Sequence, residues 1–354
     1  MTKLRFVLGD KEDRYLKRLS DYISFRYGDR IELYTFTEKQ LLESFLTENK
    51  VNGVFAGKGF LEVREHITPT TCFAYLSEGI ETENYENIVM LVKYQNADAL
   101  VKEMIALCSE QVAGVYQGKN TDGRGKIILF ESPLGGVGTT LAAVACAYYF
   151  AGHGKKALYM NLEEFGSVKG IFQGEGRFDF RDIIYALKSR KVNLHLKIES
   201  IIREDSTGVF YIEPCSQPVD LQSFTEEEAK HFLKILLEEG GYDAVIIDRN
   251  SRLDSMSYVL REIADEIVLV TVEERIQNDK LQKFIHAIKL TEEKMQLEIC
   301  NKLQILYNGY DARSAFRADK TLIPALGRLP KIEGIAEKQM IERFAAEDVF
   351  RKLL

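Results

Sequence analysis

The sequence predicts an α/β protein with two doubly wound domains. Short apolar segments with strand character alternate along the chain with amphipathic segments of helical spacing. The 354 residues leave room for two domains. A glycine-rich polar stretch divides the two series of elements. We therefore expect a first domain at residues 1–112, a linker at 113–124 and a second domain at 125–354.

The first series contains five strand-like segments, each expected to lead into a helix. After the first of them, Leu16, Leu19 and Ile23 recur at helical spacing. A second helix is expected at 39–46 and a closing helix at 98–110. The predicted strands are residues 4–8, 31–36, 51–57, 71–76 and 87–92.

The second series begins directly after the linker. Its strand-like segments are near-continuous runs of valine, isoleucine and leucine, which are typical of parallel strands buried on both faces. We expect a mostly parallel sheet with helices on both sides. The predicted strands are residues 126–131, 157–162, 208–213, 242–248, 266–271 and 303–308.

Composition excludes several classes of protein. The net charge of −7 argues against a general affinity for nucleic-acid phosphates. The longest apolar run, residues 141–152, is well short of the ~20 residues that a bilayer crossing needs. The five cysteines are widely spaced and form no C-x-x-C pair, which favours reduced thiols in a cytoplasmic protein over disulfides or a zinc site.

In the first domain, a lysine, Lys93, follows the fifth predicted strand. Together with the five β-α repeats, this position resembles the flavodoxin-like receiver domain of response regulators, which carries a lysine there. Receivers have two acidic residues after the first strand, whereas this chain has only Asp10. The third strand ends at Gly57 and offers no carboxylate nucleophile for phosphorylation. The resemblance implies an atypical receiver-like domain used for protein contacts, with an unrelated flavodoxin-like domain as the alternative.

A glycine-rich loop follows the first strand of the second domain and precedes a helix. Gly135, Gly136 and Gly138 allow backbone N–H groups to point inward, and the helix N-terminus adds its dipole. Thr140 stands where such loops supply a Mg²⁺ ligand. The pattern therefore predicts a cradle for phosphate groups.

The loop resembles the deviant Walker A motif of MinD/ParA ATPases, GKGGxGK[ST]. Here Leu134 replaces the signature lysine and Thr139 replaces the P-loop lysine, while Pro133 replaces the first glycine. Arg249, Arg252 or Lys169 are left as candidates to replace the missing cations. The resemblance implies an ATP–Mg²⁺ site whose loop residues are Leu134, Gly135, Gly136, Val137, Gly138, Thr139, Thr140 and Leu141.

Further motifs follow in the order of that family. Glu163 lies in the segment that matches the D-x-D switch and is the candidate for orienting a water. Asp248 matches the Walker B aspartate, so the resemblance implies that Thr140 and Asp248 bind the metal. Asn308 matches the asparagine that reads the adenine edge. Pro330, Lys331 and Ile332 match the closing segment that packs beside the base.

The combination of the two domains resembles the TadZ/CpaE family of tight-adherence (Flp) pilus assembly proteins, over essentially the whole chain. The resemblance implies a homodimeric assembly factor at the cell pole that works with pilus secretion proteins. It also implies ATP binding with weak or no hydrolysis. Two alternatives stay open: an active ParA/MinD-like positioning ATPase, and a scaffold that binds no nucleotide. We expect no specific nucleic-acid partner and no stable membrane insertion.

The last eighteen residues form an amphipathic segment. MinD proteins end in a membrane-binding helix, but Glu342, Glu347 and Asp348 offset the basic residues that such a helix would need. We therefore expect this segment to pack on its own domain.

Overall fold

The computed structural model describes residues 3–79, 88–111, 125–174, 176–189, 192–238, 240–311 and 322–354. These residues divide into two compact units. The first combines residues 1–118 with 175–177 and 185–201, and the second contains the remainder. The linker expected at 113–124 lies outside the described residues. The division also assigns residues 185–201 to the first unit, although they fall inside the range expected for the second domain.

The strands and helices of the described residues form two β-α series. The strands are β1 (Leu4–Gly9), β2 (Ile31–Phe36), β3 (Gly53–Ala56), β4 (Cys72–Ser77), β5 (Val89–Val92), β6 (Lys126–Ser132), β7 (Ala157–Asn161), β8 (Arg203–Glu204), β9 (Phe210–Ile212), β10 (Ala244–Asn250), β11 (Glu266–Thr271), β12 (Leu303–Tyr310) and β13 (Ala325–Pro330). The helices are α1 (Asp13–Tyr27), α2 (Lys39–Glu48), α3 (Ala97–Gln111), α4 (Thr139–Gly152), α5 (Phe180–Lys188), α6 (Leu194–Ile201), α7 (Pro218–Leu221), α8 (Glu226–Glu238), α9 (Ser255–Ile263), α10 (Arg275–Met295) and α11 (Glu337–Ala345).

The first unit is built on a parallel sheet of order β2-β1-β3-β4-β5. This is the strand order of flavodoxin-like folds, and it confirms the predicted fold class. After β3 the chain forms a 3₁₀ helix, Leu61–His66, in place of the α-helix that a regular repeat would have. Alternate residues of β1 face the two sides of the sheet, so that Phe6 and Val7 are buried in separate clusters.

Helix α6 completes the first unit although it follows β7 in the sequence. It packs along α3, and Leu196 is buried in the same hydrophobic cluster as Phe6. The backbone N–H of Asn193 donates to the carbonyl of Ser109 at 2.8 Å. Arg30 of the loop before β2 forms an ion pair with Glu199.

The second unit contains an eight-stranded sheet of order β13-β12-β11-β6-β10-β7-β9-β8. Its strand pairs are parallel apart from β8, which pairs antiparallel with β9. Strand β6 lies between β11 and β10, so the loop that follows it rises from the middle of the sheet. Two strands, β8 and β13, were not predicted from the sequence. The parallel doubly wound architecture itself was predicted from the sequence, and the structure confirms it.

Helix α4 runs from the loop into the centre of this unit. Residues 142–150 are buried all round, as expected of a helix without a polar face. Helix α11 packs on α4, and Ile341 and Phe344 are buried in the same cluster. The final segment therefore packs on its domain, as predicted. Within the described ranges, every helix is too short or too polar to span a bilayer.

Candidate functional site

The glycine loop forms a compact turn between β6 and α4. Gly136 and Gly138 have φ of +71° and +83°, a region that side chains with a Cβ rarely enter. The hydroxyl of Ser132, the last residue of β6, accepts a hydrogen bond from the N–H of Leu134 at 3.1 Å. Among the described residues, no atom lies within 4 Å of an ideal Cβ built on Gly135 or Gly136. The crest of the loop is therefore open to a ligand.

Two apolar side chains hold the loop onto the domain. Leu134 and Val137 are 7% and 6% exposed and belong to the hydrophobic cluster that surrounds α4. Leu134, which the sequence analysis predicted to stand in place of the signature lysine, is thus a buried apolar group. Thr139 is half-buried at the first turn of α4 and offers a hydroxyl in place of the second lysine. The loop itself supplies backbone N–H groups and hydroxyls but no cation.

Asp248 lies at the base of this loop and is fully buried. Strand β10 pairs with β7 in a register that sets Asp248 beside Asn161. Its Oδ2 accepts hydrogen bonds from the hydroxyl of Tyr159 at 2.9 Å and from Nδ2 of Asn161 at 3.0 Å. Its Oδ1 has no hydrogen-bond partner among the described residues.

Burial raises the pKa of Asp248 to about 7 because desolvation penalises its ionised form. The nearby charge of Glu163 raises this pKa further, and the hydroxyl of Thr140 lowers it. The two residues that the sequence proposed as metal ligands, Thr140 and Asp248, are therefore close enough to influence each other.

Glu163 is half-buried just beyond β7. Its backbone N–H donates to Oδ1 of Asn161 at 2.9 Å, which fixes the start of the segment. Desolvation raises the pKa of the Glu163 side chain above its ordinary value. Glu163 lies near Asp248, whose pKa its charge raises.

Asn308 reaches the glycine loop from the end of β12. Its Nδ2 donates to the carbonyl of Val137 at 2.7 Å. An ideal Cβ on Gly138 would lie 2.4 Å from the same Nδ2, so the side chain and the loop are in tight contact. Asn308 is thus brought to the loop residues that the sequence grouped with it.

The closing segment lies beside the end of β12. Pro330 pairs with Tyr310, and the N–H of Lys331 donates to the carbonyl of Tyr310 at 3.0 Å. The Nζ of Lys331 is exposed and pairs with Glu333 at 2.6 Å. Ile332 packs against the cluster that contains Val137. None of the hydrogen bonds seen in the described parts of the chain joins Pro330 or Lys331 to the loop.

The arginines that follow β10 are held by neighbouring carboxylates. Arg249 pairs with Asp254 at 3.3 Å and Arg252 pairs with Glu164 at 2.8 Å. Desolvation lowers the pKa of Arg249. Lys169, the third cation considered, is exposed. No hydrogen bond or ion pair found among the described residues joins either arginine to the glycine loop.

Sequence reasoning missed Tyr159. This residue precedes Asn161 by two positions on β7, so both side chains lie on the same face of the strand. Its hydroxyl is one of the two donors to Asp248. The signal in the sequence was the polar–apolar–polar order of Tyr159, Met160 and Asn161 in a strand otherwise buried on both faces.

The first unit has a second polar cluster at the carboxyl end of its sheet. Lys93 is buried, and its Nζ lies 2.9 Å from Asp10, 3.1 Å from Glu12 and 3.5 Å from Glu78. Burial on its own would lower the pKa of Lys93, but hydrogen bonds to Asp10 and Glu12 outweigh it and raise this pKa. An ideal Cβ on Gly57 would lie 2.2 Å from Oδ2 of Asp10. Asp10 thus fills the space where a phosphoacceptor side chain would begin.

Two family profiles match the chain. The profile described as "TadZ-like, receiver domain" matches residues 2–109, and the profile described as "AAA domain" matches residues 125–305. Among curated proteins, none matches the sequence.

Solved structures resemble the second unit. A ParA family ATPase from Chlorobium tepidum is 18% identical, with 65% of this chain and 92% of that chain covered and a TM-score of 0.51. MinD in the Aquifex aeolicus MinC:MinD complex is 15% identical, with 65% of this chain and 96% of that chain covered and a TM-score of 0.48. MinD from Pyrococcus horikoshii, complexed with Mg-ADP, is 18% identical, with 62% of this chain and 94% of that chain covered and a TM-score of 0.47. At these identities the first similarity shows a shared fold.

Proposed function

Because the chain belongs to the AAA-domain family and carries a TadZ-like receiver domain in front of that domain, we propose that it binds ATP with Mg²⁺ and acts as a dimeric scaffold in pilus assembly. One observation carries the nucleotide part of this proposal. A fully buried carboxylate, Asp248, has one oxygen without a partner in the described structure, and it lies at the base of an open glycine loop. A buried acceptor of this kind is costly unless a ligand or water satisfies it.

The residues present fit a magnesium nucleotide. The N–H groups of Gly135 to Thr140 and the N-terminus of α4 would hold the phosphates. The hydroxyl of Thr140 would bind Mg²⁺, and the free Oδ1 of Asp248 would accept from its water shell. When bound, the metal supplies charge that neutralises the phosphate oxygens. Pro330, Lys331 and Ile332 would line the base.

We propose that hydrolysis is weak or absent. The transition state of phosphoryl transfer carries charge on the γ-phosphoryl oxygens, and cations there stabilise it more than the ground state. Leu134 is buried and apolar, Thr139 is neutral, and Arg249 and Arg252 are engaged by carboxylates. Glu163 would still orient a water, so a low residual rate is compatible with the site.

The nucleotide then serves as a structural ligand that stabilises the state to which it binds. We propose that this state is a homodimer that works with pilus secretion proteins at the cell pole, as the TadZ resemblance implies. The first unit has no phosphoacceptor at Gly57, which favours a constant protein-contact role over a phosphorylation switch.

Calorimetric titration with ATP and Mg²⁺, light scattering of the same samples and phosphate release over hours test these statements. We expect saturable binding that weakens in EDTA, a rise in mass towards a dimer, and almost no release. Thr140→Ala should remove the metal-dependent part of the binding, while Thr291→Ala on α10, a matched change away from the loop, should not. The proposal falls if millimolar ATP shows no binding, and the scaffold role falls if turnover matches that of an active ParA.

Pilus assembly needs a test in cells. Deletion of the gene should abolish pili, and Thr140→Ala should reproduce the loss if nucleotide binding is required. A fluorescent fusion should gather at one pole. Normal piliation in the deletion strain would contradict this part of the proposal without touching the nucleotide site.

A further inference from the structure

The carboxylate of Asp248 has one oxygen that is saturated with donors and one that is free. Its Oδ2 accepts from the hydroxyl of Tyr159 at 2.9 Å and from Nδ2 of Asn161 at 3.0 Å. A carboxylate oxygen has about two lone-pair positions, so these two donors fill both. Its Oδ1 has no partner among the residues that the structure describes. Oδ1 is therefore the oxygen that is left for a ligand of the glycine-loop site.

The proton of the Tyr159 hydroxyl is directed at Asp248. Nδ2 of Asn161 also donates to the hydroxyl oxygen, at 3.3 Å. Because a hydroxyl has a single proton, Tyr159 gives it to Asp248 while its oxygen accepts from Asn161. Oδ1 of Asn161 accepts from the backbone N–H of Glu163 at 2.9 Å, which settles which end of the amide faces the hydroxyl. The hydrogen bonds therefore run in one direction, from the Glu163 segment to Asp248.

Packing fixes the ring that carries this hydroxyl. Tyr159 is fully buried in the hydrophobic cluster around α4. Its ring centre lies 5.5 Å from that of Phe172, which in turn stacks on Tyr211 at 4.6 Å. Side chains in a close-packed cluster sit in one rotamer minimum, so the hydroxyl keeps a fixed place beside Asp248. Tyr159 thus anchors the carboxylate from the core of the second unit.

We infer that Tyr159 is a positioning residue for the metal of the proposed nucleotide site: its hydroxyl holds Asp248 so that Oδ1 stays free to accept from the water shell of Mg²⁺. This inference rests on the proposed function and adds to it, because it assigns the magnesium dependence of binding to a tyrosine hydroxyl. Tyr159 acts through Asp248 and contacts no ligand itself. Without the hydroxyl, one position on Oδ2 is unsatisfied and the carboxylate loses half of its anchorage.

Tyr159→Phe removes the hydroxyl and keeps the ring. We would titrate ATP into the full chain and into this variant, once with Mg²⁺ and once with EDTA. The ratio of the two dissociation constants measures how much the metal adds to binding. This ratio should fall by about 10-fold or more in the variant, as is typical when a group that orients a metal ligand is lost, and binding in EDTA should be unchanged. A hydroxyl that only stabilised the fold would not affect the ratio.

Tyr211→Phe is the matched control. Tyr211 pairs with Tyr159 across β9 and β7, belongs to the same stack of rings and is 1% exposed. Its hydroxyl lies beside Gly174, and none of the hydrogen bonds found among the described residues joins it to Asp248. This variant should therefore keep the ratio of the original chain, even if it loses stability.

A second readout needs no ligand. Urea midpoints at pH 8 would be compared for the original chain, Tyr159→Phe, Asp248→Asn and the double variant. A hydrogen bond to an ionised group is roughly twice as strong as one between neutral groups. Loss of the hydroxyl should therefore lower the midpoint about twice as much in the original chain as in the Asp248→Asn background.

A selective fall in the magnesium-dependent ratio, together with unequal midpoint losses in the two backgrounds, supports the inference. Equal midpoint losses overturn it, because the hydroxyl then does not act through Asp248. A Tyr159→Phe variant that keeps the ratio, whether or not its binding is weaker overall, also overturns it. If ATP does not bind to the original chain, the proposed nucleotide site falls, and the midpoints alone decide whether Tyr159 positions Asp248.

Discussion

At the scale of single residues, an amide in place of a carboxylate removes a negative charge beside Asp248. Asn161 stands where the related motif has an aspartate, and its amide donates to Asp248 at 3.0 Å. Two buried carboxylates at that distance would repel each other and hold a shared proton. Instead, the Asn161 amide and the Tyr159 hydroxyl both donate to Asp248 and hold this single buried carboxylate in place.

We predict that Asp248→Asn stabilises the ligand-free protein, increasingly so at higher pH. The folded-state pKa of Asp248, about 7, lies above its ordinary value of 3.8. The folded state therefore binds more protons than the unfolded state between these two values, and the stability of the original chain falls as pH rises through that window. The variant has no such group, so its advantage should grow from pH 4 to pH 7 and then level off.

Urea unfolding of both proteins at pH 5, 6, 7 and 8 measures this difference. At pH 8 we expect the unfolding free energy of Asp248→Asn to exceed that of the original chain by roughly 2–4 kcal/mol. The same variant should lose metal-dependent ATP binding. A constant difference across the pH range would show that Asp248 is ionised throughout.

We predict that the first unit takes no phosphate from acetyl phosphate and Mg²⁺, and that Gly57→Asp does not restore a phosphoacceptor. The new Cβ would lie 2.2 Å from Oδ2 of Asp10, and a second buried carboxylate would compete for Lys93. The variant should lose about 2–4 kcal/mol of unfolding free energy. Intact-mass spectrometry and thermal unfolding check both statements.

Gly79→Asp is the matched control, because no described atom lies within 4 Å of its Cβ position. It should change stability by less than about 0.5 kcal/mol. Phosphate found on Asp10 of the original chain would contradict the prediction.

The site could be predicted from the sequence where its signal was local. The glycines of the loop, Thr140 and Asp248 each stand next to a recognisable strand, so motif order was enough to group them. The bond from Tyr159 to Asp248 depends on the pairing of β7 with β10. The bond from Asn308 to Val137 depends on a bulge in β12, between Tyr307 and Tyr310. The bond from Asn308 leaves no local pattern in the sequence, and the polar–apolar–polar order of residues 159–161 shows which side chains share a face of β7 but not that they meet Asp248.

At the scale of elements, runs of branched apolar residues located the strands well. Strand β11 has the predicted bounds, because a strand buried on both faces must be apolar throughout. Strand β13 was missed because it is an edge strand in which Leu326 and Leu329 alone are buried. The segment after β3 has no helical spacing of apolar residues, and it forms a 3₁₀ helix.

We predict that Phe344→Ala destabilises the second unit by about 3–5 kcal/mol, because its ring is buried where α11 packs on α4. Phe165→Ala makes the same chemical change at a side chain that is 83% exposed, and should cost less than about 0.5 kcal/mol. Urea unfolding of both variants measures the difference. Equal effects would mean that α11 does not pack on α4 in solution.

At the scale of the whole molecule, the chain returns to its first unit after entering the second, and residues 185–201, which contain α6, form the longer of the two returning segments. An amphipathic helix such as α6 shows in its sequence which face is apolar, but not which sheet that face will cover. This is why residues 185–201 were grouped with the second domain. In the structure, Leu196 of α6 is buried in the same cluster as residues of α3, so the compact unit and the expected sequence range differ at this helix.

We predict that Leu196→Ala loosens the first unit, although the residue comes late in the sequence. Leu196 is fully buried in the cluster of β1 and α3, so the change should cost about 2–5 kcal/mol. Amide exchange should accelerate in β1, β3 and β4 and be unchanged in β10 to β12. Leu290→Ala, at an exposed position of α10, is the control. Acceleration in the second unit instead would contradict the assignment.

The late arrival of α6 has a consequence during protein synthesis. After residue 111 has been added to the nascent chain, ninety more residues must be added before residue 201 exists. At ~5–20 residues per second this takes roughly 5–20 s. Throughout that interval the nascent first unit exposes the apolar side of α3 that α6 will cover. A chaperone that recognises exposed apolar helices would have its binding opportunity in this window, and rapid translation of residues 112–201 would shorten it.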